Sequence, residues 1–240
     1  MPYVLVHGGG FGASCWDPLV PLLDGPVVAV DLPGRGRRPA DLPTVTLDDF
    51  AAAVVEDLEA ADLHDVVLVG HSLGGVTLPR VMARIPERLR HIVFVSCCVP
   101  PPGGTVADAL SGLSPTAAEV AARLGDDLMG DDGHLHEDFA AAMFCNDMDE
   151  ALTRQTLDRL TSEAPGVLAE PTDLSGLQQP VPRTYVRLLR DAAIELEAQD
   201  RMIATLREAA AVEVTVVDLD TAHMGMLSAP DRLAAILRSL

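Results

Sequence analysis

Gly70-His71-Ser72-Leu73-Gly74 constrains this chain more than any other stretch. It reads G-x-S-x-G and follows Asp65-Val66-Val67-Leu68-Val69, a short apolar, β-branched run. Beyond it, Arg80-Val81-Met82-Ala83-Arg84 reads as a helix. A serine between a strand and a helix, flanked by glycines, is the pattern of a nucleophile elbow. The tight turn lifts the hydroxyl clear of the backbone. It also places the next N–H at a helix start, where negative charge is favoured.

Short apolar runs at Tyr3–Val6, Val27–Asp31, Val66–Val69, His91–Ser96, Arg183–Leu189 and Val212–Leu219 read as strands. Periodic segments at Leu47–Ala61, Val76–Arg84, Glu197–Ala210 and Asp231–Leu240 read as helices. Such alternation predicts an α/β fold with a mostly parallel sheet covered by helices on both faces. The alternation fails between Ser96 and Arg183. Pro100-Pro101-Pro102-Gly103-Gly104 marks an exit from the sheet and Gln179-Pro180-Val181-Pro182 the return. Helical patterns lie between them at Ala117–Leu124, Glu137–Phe144 and Glu150–Leu160. We therefore expect a core formed by residues 1–98 and 181–240, with an inserted helical cap over 99–180, since an ordinary loop is far shorter.

A serine needs a base, and the base needs an orienting acid. For an elbow of this kind the chain order is serine, acid, histidine. His223 follows the last predicted strand, at the sheet edge where open α/β sheets place their sites. His134 and His136 lie in an acidic stretch and are expected to face solvent. Asp191 follows the strand ending at Leu189 and is the expected acid, with Asp200, Asp218 and Asp220 as rivals. Two N–H donors must face the developing oxyanion. Leu73, after the serine, is one. Gly9 in His7-Gly8-Gly9-Gly10-Phe11-Gly12 is the other, with Gly8 and Gly10 beside it against the substrate. His7 itself reads as a structural hydrogen-bonder. Leu128, Met129, Phe144 and Met224 complete the expected substrate-binding set. The acidic run Asp126-Asp127 and Asp131-Asp132, like Arg35, Arg37 and Arg38, reads as solvated.

The net charge is −19, which disfavours nucleic acid and anionic membrane as partners. The cysteines Cys15, Cys97, Cys98 and Cys145 have no metal spacing and read as free thiols in a reducing compartment. No secretory pattern precedes the first strand and no run of about 18 apolar residues occurs, so a cytoplasmic location is expected.

Together, Leu5-Val6-His7-Gly8-Gly9-Gly10-Phe11-Gly12-Ala13-Ser14-Cys15-Trp16, Val30-Asp31-Leu32-Pro33-Gly34, the stretch around Ser72, and His223-Met224-Gly225-Met226-Leu227-Ser228-Ala229-Pro230 resemble the α/β-hydrolase superfamily. They are similar to one branch of it, which holds plant methyl esterases, plant hydroxynitrile lyases and bacterial esterases. The resemblance covers the sheet domain and is weak over the cap. It implies a triad of Ser72, Asp191 and His223, with oxyanion donors at Gly9 and Leu73. It further implies ester hydrolysis through an acyl-enzyme, with no cofactor and no metal; the apolar cap candidates point to a neutral hydrophobic ester. The lyases of the branch carry lysine after the histidine and threonine after the first-strand histidine. Met224 and Gly8 stand there, as in an esterase. A lyase, cyclase or perhydrolase reaction on the same triad, and a receptor-like binder, remain the alternatives. A homodimer is left open.

Overall fold

The computed structural model describes residues 1–110, 112, 114–130 and 133–240, and of Asp126 only the backbone. Asp131, Asp132 and the side chain of Asp126, read above as solvated acid, lie outside the described residues.

Six strands, β1 (Tyr3–Val6), β2 (Val27–Val30), β3 (Val66–His71), β4 (Leu89–Val95), β5 (Arg183–Leu188) and β6 (Val214–Leu219), form one parallel sheet in the order β2-β1-β3-β4-β5-β6. The alternation of side chains along each strand feeds two separate cores. Val4, Val6, Val66, Leu68, Ile92 and Phe94 face one. Their neighbours Tyr3, Leu5, Val67, Val69, Val93 and Val95 face the other. Where both faces are fully buried, as along β1 and Val66–Val69 of β3, the strand is an unbroken apolar run.

Helix α1 (Leu47–Ala60) supplies Leu47, Phe50, Val54 and Leu58 to the first core. There it meets α2 (Leu78–Arg84). Thr46 and Asp49 close the α1 N-terminus by a reciprocal capping box, satisfying N–H groups the helix cannot.

Between β4 and β5 the chain forms α3 (Val106–Ala109), α4 (Pro115–Leu124), α5 (Glu137–Phe144) and α6 (Glu150–Leu157). No strand of the sheet is drawn from this stretch among the described residues. Helix α7 (Leu196–Ala209) returns to the first core through Met202, Ile203 and Leu206. After β6 come α8 (Gly225–Ser228) and α9 (Pro230–Arg238), and α9 closes the second core with Leu233, Ala234 and Leu237.

Strand β3 runs two residues beyond its expected end and takes in Gly70 and His71. The serine thus stands just past the last rung of the sheet, where His71 pairs with Val95.

Candidate active site

Ser72 has φ +51°, in the left-handed region that non-glycine residues rarely occupy. This strain is the backbone signature of the elbow. The surroundings hold the turn in place. A β-carbon at Gly8 would come within 2.8 Å of Ser72 Cβ and 2.9 Å of His71 Nδ1. Gly8 is thus a packing contact beneath the elbow.

His223 and Ser72 line one cavity of about 150 Å³. Nδ1–H of His223 donates to Asp191 Oδ2 at 2.7 Å, with both side chains almost wholly out of solvent. That bond puts the proton on Nδ1 and leaves the Nε2 lone pair free. The Asp191 carboxylate is held from four directions. Oδ1 accepts the N–H groups of Ala193 and Ile194, each at 2.8 Å, and Oδ2 also accepts Ser96 Oγ–H at 2.6 Å. The rival acids serve elsewhere, since Asp200 and Asp218 both pair with Arg187 and Asp220 pairs with Arg190. No hydrogen bond to Ser72 Oγ is formed within the chain among the described residues. Such contacts in an unliganded site commonly tighten only with substrate.

The imidazole of His223 is packed as well as hydrogen-bonded. Phe144 stacks on it with ring centroids 5.4 Å apart. His71 lies 4.5 Å away, and its Nε2–H donates to the His223 carbonyl at 2.9 Å. Burial, then the nearby His223, hold His71 well below the usual histidine range, so it is neutral. His7 accepts Leu32 N–H on Nε2 and donates from Nδ1 to the Gly8 carbonyl, tying β1 to the loop after β2. Burial lowers it to about 4.

The donors expected at Gly9 and Leu73 meet at the same cavity. A β-carbon at Gly9 would stand 3.3 Å from Leu73 Cδ2. Neither N–H is donated within the chain among the described residues. Gly10, Met129 and Phe144 line the cavity, joined by Val106, Leu110, Leu135, Met143 and Ile194. Three expected lining residues do not reach it. Gly8 lies under the elbow, Met224 is fully buried in the second core, and Leu128 ends a short helical turn outside the lining. Cys98 lines the cavity too, but burial pushes its thiol up to about 12, so no thiolate competes with Ser72.

Four side chains around the site escape sequence reasoning because each contacts a distant partner. Ser96 reaches Asp191. Asp147 Oδ2 accepts Thr221 Oγ–H and Ala222 N–H, both at 2.8 Å, and Ser228 Oγ–H at 3.0 Å, clamping the loop that carries His223. Glu163 lines the cavity and pairs with Arg35. Arg35 is not solvated as expected. Its side chain is 1% exposed and lies 5.4 Å over the Phe50 ring, whereas Arg37 is 69% exposed. Among the described residues no group of three or more His, Cys, Asp or Glu is placed to hold a metal ion. Nor is any helix long and apolar enough to cross a membrane.

Residues 3–236 match the alpha/beta hydrolase family, and the chain belongs to that family. "Probable hydrolase R7" of Phoma sp. is 28% identical over 222 residues, which covers 90% of this chain and 86% of that protein. Polyneuridine aldehyde esterase of Rauvolfia serpentina is 39% identical over 105 residues, a match covering 42% of this chain and 40% of that protein. The solved structure of an extracellular alpha/beta-hydrolase from a Paenibacillus species superposes with TM-score 0.81 at 23% identity, covering 100% of this chain and 98% of that one. The family and its esterase relatives place the chain among the carboxylic ester hydrolases.

Proposed function

We propose that the chain hydrolyses a neutral, hydrophobic carboxylic ester through an acyl-enzyme. The observation that carries this reading is the Asp191–His223 hydrogen bond at 2.7 Å, directed at an imidazole that shares one cavity with a strained Ser72. In the reading, His223 Nε2 takes the Ser72 proton as Oγ attacks the ester carbonyl. Gly9 and Leu73 N–H groups hold the oxyanion. The tetrahedral adduct collapses as His223 gives its proton to the leaving alcohol. Water, deprotonated by the same imidazole, then releases the acid. Asp191 fixes the tautomer and stabilises the imidazolium without taking the proton.

The apolar lining supports a hydrophobic substrate. The four cysteines are unpaired, which supports the cytoplasmic reading.

The test is turnover of short p-nitrophenyl esters by the wild type and by Ser72→Ala. A loss of at least about 10³-fold is expected from removing the nucleophile. Labelling by a fluorophosphonate probe separates the alternatives. Ser72 that labels but turns over no ester points to a non-hydrolytic reaction, and Ser72 that fails to label points to a binder.

A further inference from the structure

Beside the cavity sits a buried ion pair that the proposed mechanism does not use. Arg35, on the loop after β2, donates from its guanidinium to Glu163 Oε1, and Glu163 lies on the segment between α6 and β5. Oε1 also accepts Ala164 N–H at 2.8 Å. Oε2 accepts Gly10 N–H at 3.1 Å. One residue pair away, Thr161 N–H donates to the Gly10 carbonyl at 2.8 Å. Gly10 is therefore gripped on both its amide and its carbonyl by residues 161–163, and it has φ +70°, a conformation glycine adopts without penalty.

The peptide so held carries Gly9 into the cavity. The carboxylate stands very close to it, since a β-carbon at Gly9 would lie 3.1 Å from Glu163 Oε2. A lone carboxylate there would oppose an oxyanion growing on the Gly9 N–H. Arg35 on the far oxygen cancels that charge and aims Oε2 at Gly10. Nothing in the expected triad requires an acid here, and a structural pair has no need to face a substrate cavity.

We infer that Glu163, neutralised by Arg35, is a positioning residue. It latches the Gly9–Gly10 peptide and so fixes Gly9 in place, whose own N–H, on the preceding Gly8–Gly9 peptide, is then held toward the oxyanion. The inference rests on the ester-hydrolase reading and adds to it: one oxyanion donor is oriented by the inserted segment. A donor preorganised toward the transition state raises kcat more than it lowers KM.

Two double variants isolate the latch, because both remove the ion pair. Arg35→Met/Glu163→Gln keeps an acceptor for Gly10, and Arg35→Met/Glu163→Leu does not. The leucine variant is expected to show kcat at least about tenfold below the glutamine variant at equal KM. Its affinity for a trifluoromethyl ketone, which adds Ser72 to form a tetrahedral oxyanion, should fall by the same factor. Agreement of the two variants within about twofold on both measures overturns the inference. Should either variant fail to fold, hydrogen exchange of the Gly10 amide in the wild type decides. Exchange at least about 100-fold slower than in an unstructured peptide supports the latch, and exchange as fast as such a peptide overturns it. Absence of Ser72-dependent turnover in the wild type would defeat the ester reading while leaving the Gly10 exchange test intact.

Discussion

Ser96 occupies the position directly after β4 and has φ +40°, a second strained serine beside Ser72. Its hydroxyl and the His223 imidazole share Asp191 Oδ2 at 2.6 and 2.7 Å. With Ala193 and Ile194 filling Oδ1, the carboxylate can neither rotate nor drift from the histidine. Replacing Ser96 with alanine removes a hydrogen bond to a charged group, worth about 1.5–3 kcal/mol. We expect Ser96→Ala to lower kcat about tenfold with KM unchanged, as steady-state kinetics would show. A residue serving structure alone would lower the melting temperature and leave kcat in place. Asp191→Asn forces the other histidine tautomer and is expected to cost about 10⁴ in kcat, measured in the same assay.

Elements carry these residues to one place, and their packing is tight at the backbone. A β-carbon at Gly75 would meet the Cys98 carbonyl at 2.5 Å and Cys97 Cβ at 2.6 Å. Neither the turn after Ser72 nor the chain leaving β4 can retreat, because Cys98 N–H already donates to the Ser72 carbonyl at 2.9 Å. Gly75→Ala is therefore expected to destabilise by about 2 kcal/mol or more, read from the urea midpoint, and to lower kcat with it. Thr46→Ala, at the N-terminus of α1, removes only a cap and should cost about 1 kcal/mol without touching kcat. The strands and the elbow were legible in the sequence because their signals are local. Val66–Val69 is apolar on both faces, and the motif follows at once. Glu163, Ser96 and Asp147 were not, since their partners Gly10, Asp191 and Ala222 lie 153, 95 and 75 residues away. Arg35 misled for a related reason. Beside Arg37 and Arg38 it looks like one of a solvated trio, and the distant Glu163 supplies the countercharge its burial needs.

At the scale of the molecule, pH sets two effects against each other. The net charge of −19 means that carboxylates repel across the surface at neutral pH, and acid relieves this as they protonate. Buried neutral histidines act the other way. His7 is lowered to about 4 in the fold, with Asp31 and Arg35 as its charged neighbours, and His71 is lowered well below its usual range. Unfolded, both titrate near 6.5. Below that value the unfolded chain binds protons the folded one refuses, so stability is full above about 6.5 and is lost as pH falls toward 4. Model carboxylates, with pKa values of about 4, take up few protons until about pH 5. Between pH 7 and 5 the histidines therefore decide the sign. At pH 5 His7 alone removes about 2 kcal/mol, and His71 adds to it. We expect the melting temperature to fall by at least about 4 °C from pH 7 to pH 5 in a calorimetric scan. A melting temperature that holds or rises over that interval would show that relief of surface repulsion outweighs the two imidazoles buried beneath the elbow.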